Sequence, residues 1–363
     1  MPLAWILVMA LSVGPFQSAE VNAHFERAAA LQRGGALEDA AAEYRRVLAL
    51  APRYAEAHAN LGAVLAQLGR LPEAITSYEA ALDLNPGLKP ILLNLGIAHF
   101  RAQQFAPAVA TLERFLAVAP GHLQARLLAG ISLVELGRDA EALARLEPAL
   151  AEAPGEVAAL YSLGTAYLRL GRPEAEAVAE RLAALPNGGA LARMLAGQVR
   201  LERLEFGAAA AEFEAAAKLA PDLPRQQFLL GLAYLKLGRS AEALACFERE
   251  LGRTPDDFKT LYYLGHVLEK QGDLGAARRR GEAALRQEPE SVEAAALLGG
   301  ILLKQGEAAE AVRVLEPAVA RQPRDAEIRY LLGRGYQKLG RRAEAAREFA
   351  EVERLRRSLR ERG

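Results

Sequence analysis

Five histidines (His24, His58, His99, His122 and His266) and one cysteine, Cys246, are the side chains from which a metal centre or a nucleophilic site would have to be built. None stands at a spacing that serves either purpose. An H-E-x-x-H segment would put two imidazoles and a carboxylate base on one helical face, C-x-x-C would pair two thiols, and G-x-x-x-x-G-K-[ST] would cradle phosphates with backbone N–H groups. The chain contains none of these. The string GRGYQKLG at 333–340 resembles a glycine-rich phosphate loop, but it lies in a helical pattern with no strand before it. His58 and His99 occupy core-type positions, and Cys246 adjoins Phe247 in an apolar helical segment. No catalytic, cofactor-binding or metal-ligating residue is expected, and the chain reads as a non-enzyme.

Charge narrows the alternatives. The 363 residues carry 45 basic and 45 acidic side chains, so the formal net charge is zero. A general nucleic-acid binder needs a basic footprint to displace phosphate counterions, so nucleic acid is not expected as a partner. No run of 18 apolar residues occurs, so no ordinary spanning helix is expected. Residues 1–19 are uncharged, with an apolar stretch from Leu3 to Val13 broken at Gly14-Pro15 and followed by small or polar residues up to Ala19. That is the layout of a cleavable secretory signal, which would place the chain in the periplasm or outside the cell; uncleaved, it would be a cytoplasmic chain with an apolar N-terminal cap or anchor.

The elements that must position any site follow one beat. Pro52, Pro86, Pro120 and Pro154 are 34 residues apart, and the same spacing resumes at Pro221, Pro255, Pro289 and Pro323. Self-similarity at this period predicts a solenoid of helix–turn–helix units. In residues 55–88 the first helix reads AEAHANLGAVLAQLG and the second LPEAITSYEAALDLNP. Leu61, Gly62 and Leu65 share one face of the first, and Ala74, Tyr78 and Ala81 share the facing side of the second.

Two glycine series recur. Gly62, Gly96, Gly130, Gly164, Gly197, Gly231, Gly265, Gly299 and Gly333 lie inside first helices. There glycine costs about 1 kcal/mol against alanine, so a close helix crossing is expected, faced by Ala74 and its counterparts. Gly35, Gly69, Gly137, Gly171, Gly238, Gly272, Gly306 and Gly340 follow the first helices and predict left-handed C-terminal turns.

These residues resemble the tetratricopeptide repeat family. Residues 224–257 show its pattern in Leu230-Gly231, Tyr234, Gly238, Ala243, Phe247 and Pro255, departing at Glu250. Ten units follow: 21–54, 55–88, 89–122, 123–156, 157–189, 190–223, 224–257, 258–291, 292–325 and 326–359. The domain reading is therefore a leader at 1–19, a repeat array at 20–359 and a tail at 360–363. The resemblance implies an all-α, right-handed superhelical solenoid of antiparallel helix pairs, and a concave face that binds proteins or peptides.

Departures mark particular units. The first has Arg27 and Ala28 where leucine and glycine are expected. The fifth places Glu176 in an alanine slot, reaches Pro186 two residues early and ends in the flexible-turn sequence Asn187-Gly188-Gly189. Its irregular stretch, 172–189, reads either as a hinge or as a tolerated deletion. Pro148 and Pro317 inside second helices predict a bend or a late start there. The last helix lacks the closing proline and should run on through LRRSLRERG with Phe349, Val352, Leu355 and Leu359 inward.

In the family the groove is lined by residues 2, 5, 9, 12 and 13 of each unit, with residue 6 contributing. Mapped onto this chain, units three to seven offer Leu93, Ile97, Phe100, Leu127, Ile131, Val134, Tyr161, Leu168, Met194, Leu201, Phe228, Leu232 and Leu235. Units eight to ten offer Lys259, Tyr262, His266, Lys270, Lys304, Tyr330, Arg334 and Lys338. The expected groove is apolar in its middle and polar-basic toward the C-terminal end. It suits an amphipathic helix or an extended peptide with an acidic end. The carboxylate clamp known in the family needs asparagine at residue 9, which no unit supplies; its asparagine ladder is met only by Asn60 and Asn94. Two functions remain: an adaptor that holds a partner segment in this groove, or a structural protein that self-associates through the same surface.

Overall fold

The computed structural model describes residues 18–360, with side chains through Ser358. The leader expected to be cleaved lies outside the described residues except for Ser18 and Ala19. The chain divides into two compact blocks, Met1–Leu195 and Ala196–Gly363. The first holds α1 (Ala19–Arg33), α2 (Leu37–Leu50), α3 (Ala55–Gln67), α4 (Leu71–Leu84), α5 (Lys89–Arg101), α6 (Phe105–Leu116), α7 (Leu123–Glu135), α8 (Asp139–Glu152), α9 (Val157–Arg169) and α10 (Glu174–Ala183). The division falls within α11 (Gly189–Glu202). The second block continues with α12 (Phe206–Leu219), α13 (Gln226–Lys236), α14 (Ser240–Leu251), α15 (Phe258–Gln271), α16 (Leu274–Gln287), α17 (Val292–Gln305), α18 (Ala308–Arg321), α19 (Ala326–Lys338) and α20 (Arg342–Arg360). No strand occurs among the described residues.

Odd-numbered helices are the first helices of the expected units and even-numbered ones the second. Each first helix from α1 to α7 packs against its own second helix, and that helix packs against the next first helix. Successive first helices also touch, as α7 does α9 and α17 does α19. The turns work as the glycines predict: Gly35, Gly69, Gly137, Gly171, Gly238, Gly272, Gly306 and Gly340 all have positive φ, from 65° to 90°. Gln103 and Leu204 stand at the same position in the two units without glycine, and they adopt φ 57° and 61°. Packing on both sides fixes the turn even where an L side chain opposes it by about 1–2 kcal/mol.

The glycines inside the first helices do permit close approach, but alanine is not what approaches them. A Cβ on Gly62 would lie 2.7 Å from the Tyr78 ring, one on Gly96 2.7 Å from Leu112, and one on Gly231 2.7 Å from Phe247. In these units the glycine is the seat for a large side chain 16 residues later, whereas in the fifth Leu195 of α11 comes nearest to Gly164. Ala74, Ala108 and Ala243 are fully buried nearby. The eighth unit breaks this rule because Gly281 occupies the large-residue position; Leu297 of α17 then lies nearest to Gly265, at 3.2 Å from its would-be Cβ.

Of the bend or late start expected at the two helix-interior prolines, the late start does not occur. Helices α8 and α18 contain Pro148 and Pro317 yet start at Asp139 and Ala308, at the same offset as their neighbours. The preceding left-handed glycines and the buried pairs Ala142/Leu146 and Ala311/Leu315 set the start. The Asn187-Gly188-Gly189 turn is tight: a Cβ on Gly188 would lie 1.9 Å from the Leu182 carbonyl oxygen. The ten-residue α10 ends there, shorter than the 14-residue α8. As expected, α20 runs on for 19 residues, with Val352 buried and Phe349 and Leu355 half-buried; the Leu359 side chain lies outside the description.

Candidate partner-binding groove

Because successive first helices touch, the residues on their inner faces divide into wall and rim. In the first block Leu93 and Ile97 are fully enclosed, and Leu127, Val134 and Met194 are buried as well. Phe100, Ile131, Tyr161 and Leu168 are half-buried. In the second block Phe228 is buried, while Leu201, Leu232 and Leu235 are half-buried. The expected continuous apolar strip is therefore corrected. Six of its thirteen residues sit inside the walls, because apolar side chains of that size pack against the neighbouring helices rather than face solvent.

The polar end is more open. Lys259, Lys270, Lys304, Tyr330, Arg334 and Lys338 are exposed, and Tyr262 and His266 are half-buried. Two of the cations are already engaged. The Lys338 ammonium donates to the Leu303 carbonyl at 2.6 Å, closing the C-terminal end of α17, and Lys304 pairs with Glu269 at 3.0 Å. Arg101 and Arg169 make the same stitch as Lys338, donating to the Ala66 and Val134 carbonyls of the preceding unit.

A cavity of about 240 Å³ lies among α15, α17 and α19. Its floor is Val292, Ala296, Leu297, Gly300, Ile328 and Leu331, and Tyr262 and His266 form one side. Ala296 and Gly300 on α17 are small, so the cavity opens beside Tyr262 on α15, whereas Tyr330 on α19 lies against Phe349, ring centroids 5.9 Å apart. Tyr262 is held by Phe258, stacked at 6.4 Å, and by Tyr263, edge-on at 5.2 Å. Burial pushes its hydroxyl pKa up, followed by Tyr263 and the charges of Glu293, Glu327 and Glu269. The His266 imidazole, 3.7 Å away, and then Lys304 hold the Glu269 carboxyl below its usual range against the effect of burial.

The lining corrects the expected basic character. Four carboxylates, Glu269, Glu293, Asp325 and Glu327, line this cavity, and none of the lysines does. Residue-type signals for them were present, since Glu293 and Glu327 occupy the same second position as Lys259. A reading that followed only the cations at each position passes over them.

The remaining chemistry-bearing side chains serve the fold. His24 meets Glu43, His58 meets the Pro52 carbonyl at 2.9 Å, His99 meets Gln104 at 2.8 Å, and His122 caps α7. Cys246 is buried, which pushes its thiol pKa up. Gly333 seats Phe349, and Gly340 makes a left-handed turn, so 333–340 is a helix and its cap. Among the described residues, no group of three or more side chains could hold a metal ion, and no helix is long and apolar enough to cross a membrane.

Comparison with known proteins agrees with the repeat architecture. One tetratricopeptide repeat model matches residues 22–89, 127–192 and 194–258, and a second matches 65–131, 268–335 and 302–357. No curated protein matches the chain. Among solved structures, the chain is similar to that of the APC/C hetero-tetramer Cut9-Hcn1, with TM-score 0.57 and 16% identity over 94% of this chain and 76% of the other. Yeast Tom70 is similar over 92% of each chain at 14% identity, TM-score 0.44. MamA from Desulfovibrio magneticus RS-1 aligns with 47% of this chain and 96% of its own, at 24% identity and TM-score 0.45. With its stacked helix pairs, seated glycines and left-handed turns, the chain belongs to the tetratricopeptide repeat family, a fold of protein–protein interaction scaffolds.

Proposed function

We propose that the chain is an adaptor that holds an extended segment of a partner protein in the recess formed by α15, α17 and α19. One observation carries this reading: the inner face of α17 presents Ala296 and Gly300 beside Tyr262 in a single cavity. Such a recess gives a segment an apolar floor and an aromatic anchor, the composition that concentrates binding energy at interfaces. The first block lends less support, since Leu93 and Ile97 are consumed by packing.

Gly300→Leu tests it. A Cβ at Gly300 meets nothing nearer than Glu269 Oε1, at 3.7 Å, so the helix accepts the substitution and the side chain fills the recess. The full chain and this variant are each used as bait in the native organism under mild crosslinking, with captured proteins compared by quantitative mass spectrometry. At least one protein should be lost from the variant while circular dichroism stays unchanged. An identical capture profile would remove the recess as the binding surface.

A further inference from the structure

This inference rests on the adaptor reading and specifies the partner's chemistry. The cavity beside Tyr262 has an apolar floor, one aromatic wall and carboxylates at its rim. Their existing commitments differ. Glu269 is paired with Lys304, and Asp325 accepts the Glu327 and Ile328 N–H groups at the start of α19. Glu293 accepts a hydrogen bond from Ser291 Oγ at 3.2 Å. No lysine or arginine pairs with Glu293 or Glu327 among the described residues, and both side chains are exposed at the mouth. Of the cations on the same helices, Arg329 is held by Glu348 and the Pro323 carbonyl, Lys304 by Glu269 and Lys338 by the Leu303 carbonyl, while Arg334 lies about two turns along α19 from Glu327.

We infer that this cavity takes an arginine side chain from the partner segment, its stem on Ala296, Leu297 and Ile328 and its guanidinium between Tyr262 and the Glu293 and Glu327 carboxylates. Three features favour this side chain. A long aliphatic stem covers an apolar floor while its head stays at the wet rim. A planar guanidinium stacks on an aromatic face and presents a fork of N–H donors to more than one carboxylate. A cation over a tyrosine ring gains further attraction from the ring's negative face. The partner's required charge is thus the reverse of the acidic end that the lysines suggest when read along the sequence. An acidic side chain at this mouth would meet the Glu293 and Glu327 carboxylates.

The test pans a displayed library of random twelve-residue peptides on the immobilised full chain, and counter-screens on Gly300→Leu and on the Glu293→Gln/Glu327→Gln double variant. Enriched sequences that depend on an empty Gly300 should share one arginine. For a synthetic peptide of that set, arginine-to-glutamine replacement should weaken binding to the wild-type chain at least tenfold by fluorescence anisotropy. The same replacement should change binding to the double variant less than twofold. Peptides that are lost on Gly300→Leu but carry no common basic position, or ignore the double variant, would overturn the arginine assignment and leave the recess standing. If no peptide responds to Gly300→Leu, the recess and the arginine fail together. Both glutamates are exposed, so their conversion to glutamine leaves the fold intact, which circular dichroism checks.

Discussion

Gly231 and Gly281 are both interior helix glycines, yet their surroundings predict opposite responses to the same methyl group. At Gly231 a Cβ would lie 2.7 Å from the Phe247 ring, which is itself fully buried and has nowhere to retreat. At Gly281 the nearest atom, on Leu298, is 3.5 Å away, an ordinary contact. Alanine at Gly281 should therefore stabilise the chain by about 0.5–1 kcal/mol through helix propensity alone. Alanine at Gly231 gains the same propensity but overpacks its helix pair, and should lower stability by about 1–2 kcal/mol net. Urea unfolding followed by circular dichroism reads both, and midpoint shifts of the same sign would refute the seating argument. The glycine positions were legible in the sequence; their occupant was not. Residues 20 and 24 of each unit share one helix face, and periodicity alone does not say whether Ala74 or Tyr78 lies over Gly62. That choice depends on side-chain length and crossing geometry, which a one-dimensional pattern does not carry.

Between helices, one junction recurs that the sequence reading left unread. Tyr167, Tyr234 and Tyr336 each donate to a glutamate 20 residues earlier, on the preceding second helix: Glu147 at 2.8 Å, Glu214 at 2.6 Å and Glu316 at 2.8 Å. An arginine five residues later lies over each ring: Arg172 at 5.9 Å, Arg239 at 4.3 Å and Arg341 at 4.3 Å. The tyrosine was legible as the family's large residue, but its hydroxyl partner lies in another unit, so only the stacked structure brings them together. Burial first, then the glutamate, pushes each of the three hydroxyls up to about 12. The unfolded tyrosines keep the ordinary value of 10.0. Below pH 10 both states are protonated and the contribution is fully present. Between pH 10 and 12 the unfolded chain ionises first, so stability falls as pH rises. The thermal midpoint should drop across that window, and the drop should become shallower in Tyr167→Phe/Tyr234→Phe/Tyr336→Phe. An unchanged slope in the triple variant would assign alkaline loss to other groups, among them Tyr44, also pushed up to about 12.

At the scale of the whole chain, the repeat number and the all-α class were legible because a 34-residue period leaves little freedom, whereas the groove's character was not. Residue 5 of a unit is fully enclosed at Leu93 and exposed at Tyr330, a difference that the position in the repeat does not carry. The same comparison bears on self-association. An assembly built on an apolar strip needs that strip exposed, but six of its thirteen residues are buried. Assembly through the exposed faces of α1 and α20 would meet charge. The exposed residues of α1 include Glu20, Glu26, Arg27 and Arg33, and those of α20 include Arg342, Arg347, Glu353, Arg354, Arg356 and Arg357. Exposed charges of both signs on these faces must shed water to stack, and surface ion pairs return at most about 1 kcal/mol each. Exposed leucines such as Leu136, Leu170, Leu237 and Leu339 stand one to a repeat at the ends of first helices, where each can be wetted alone. The adaptor reading therefore expects a monomer whose sedimentation coefficient is independent of concentration from the micromolar range to about a hundredfold above it. A coefficient that rises with concentration and is unaltered by Gly300→Leu would instead place association on surfaces outside the recess, and self-assembly would displace partner capture as the chain's function.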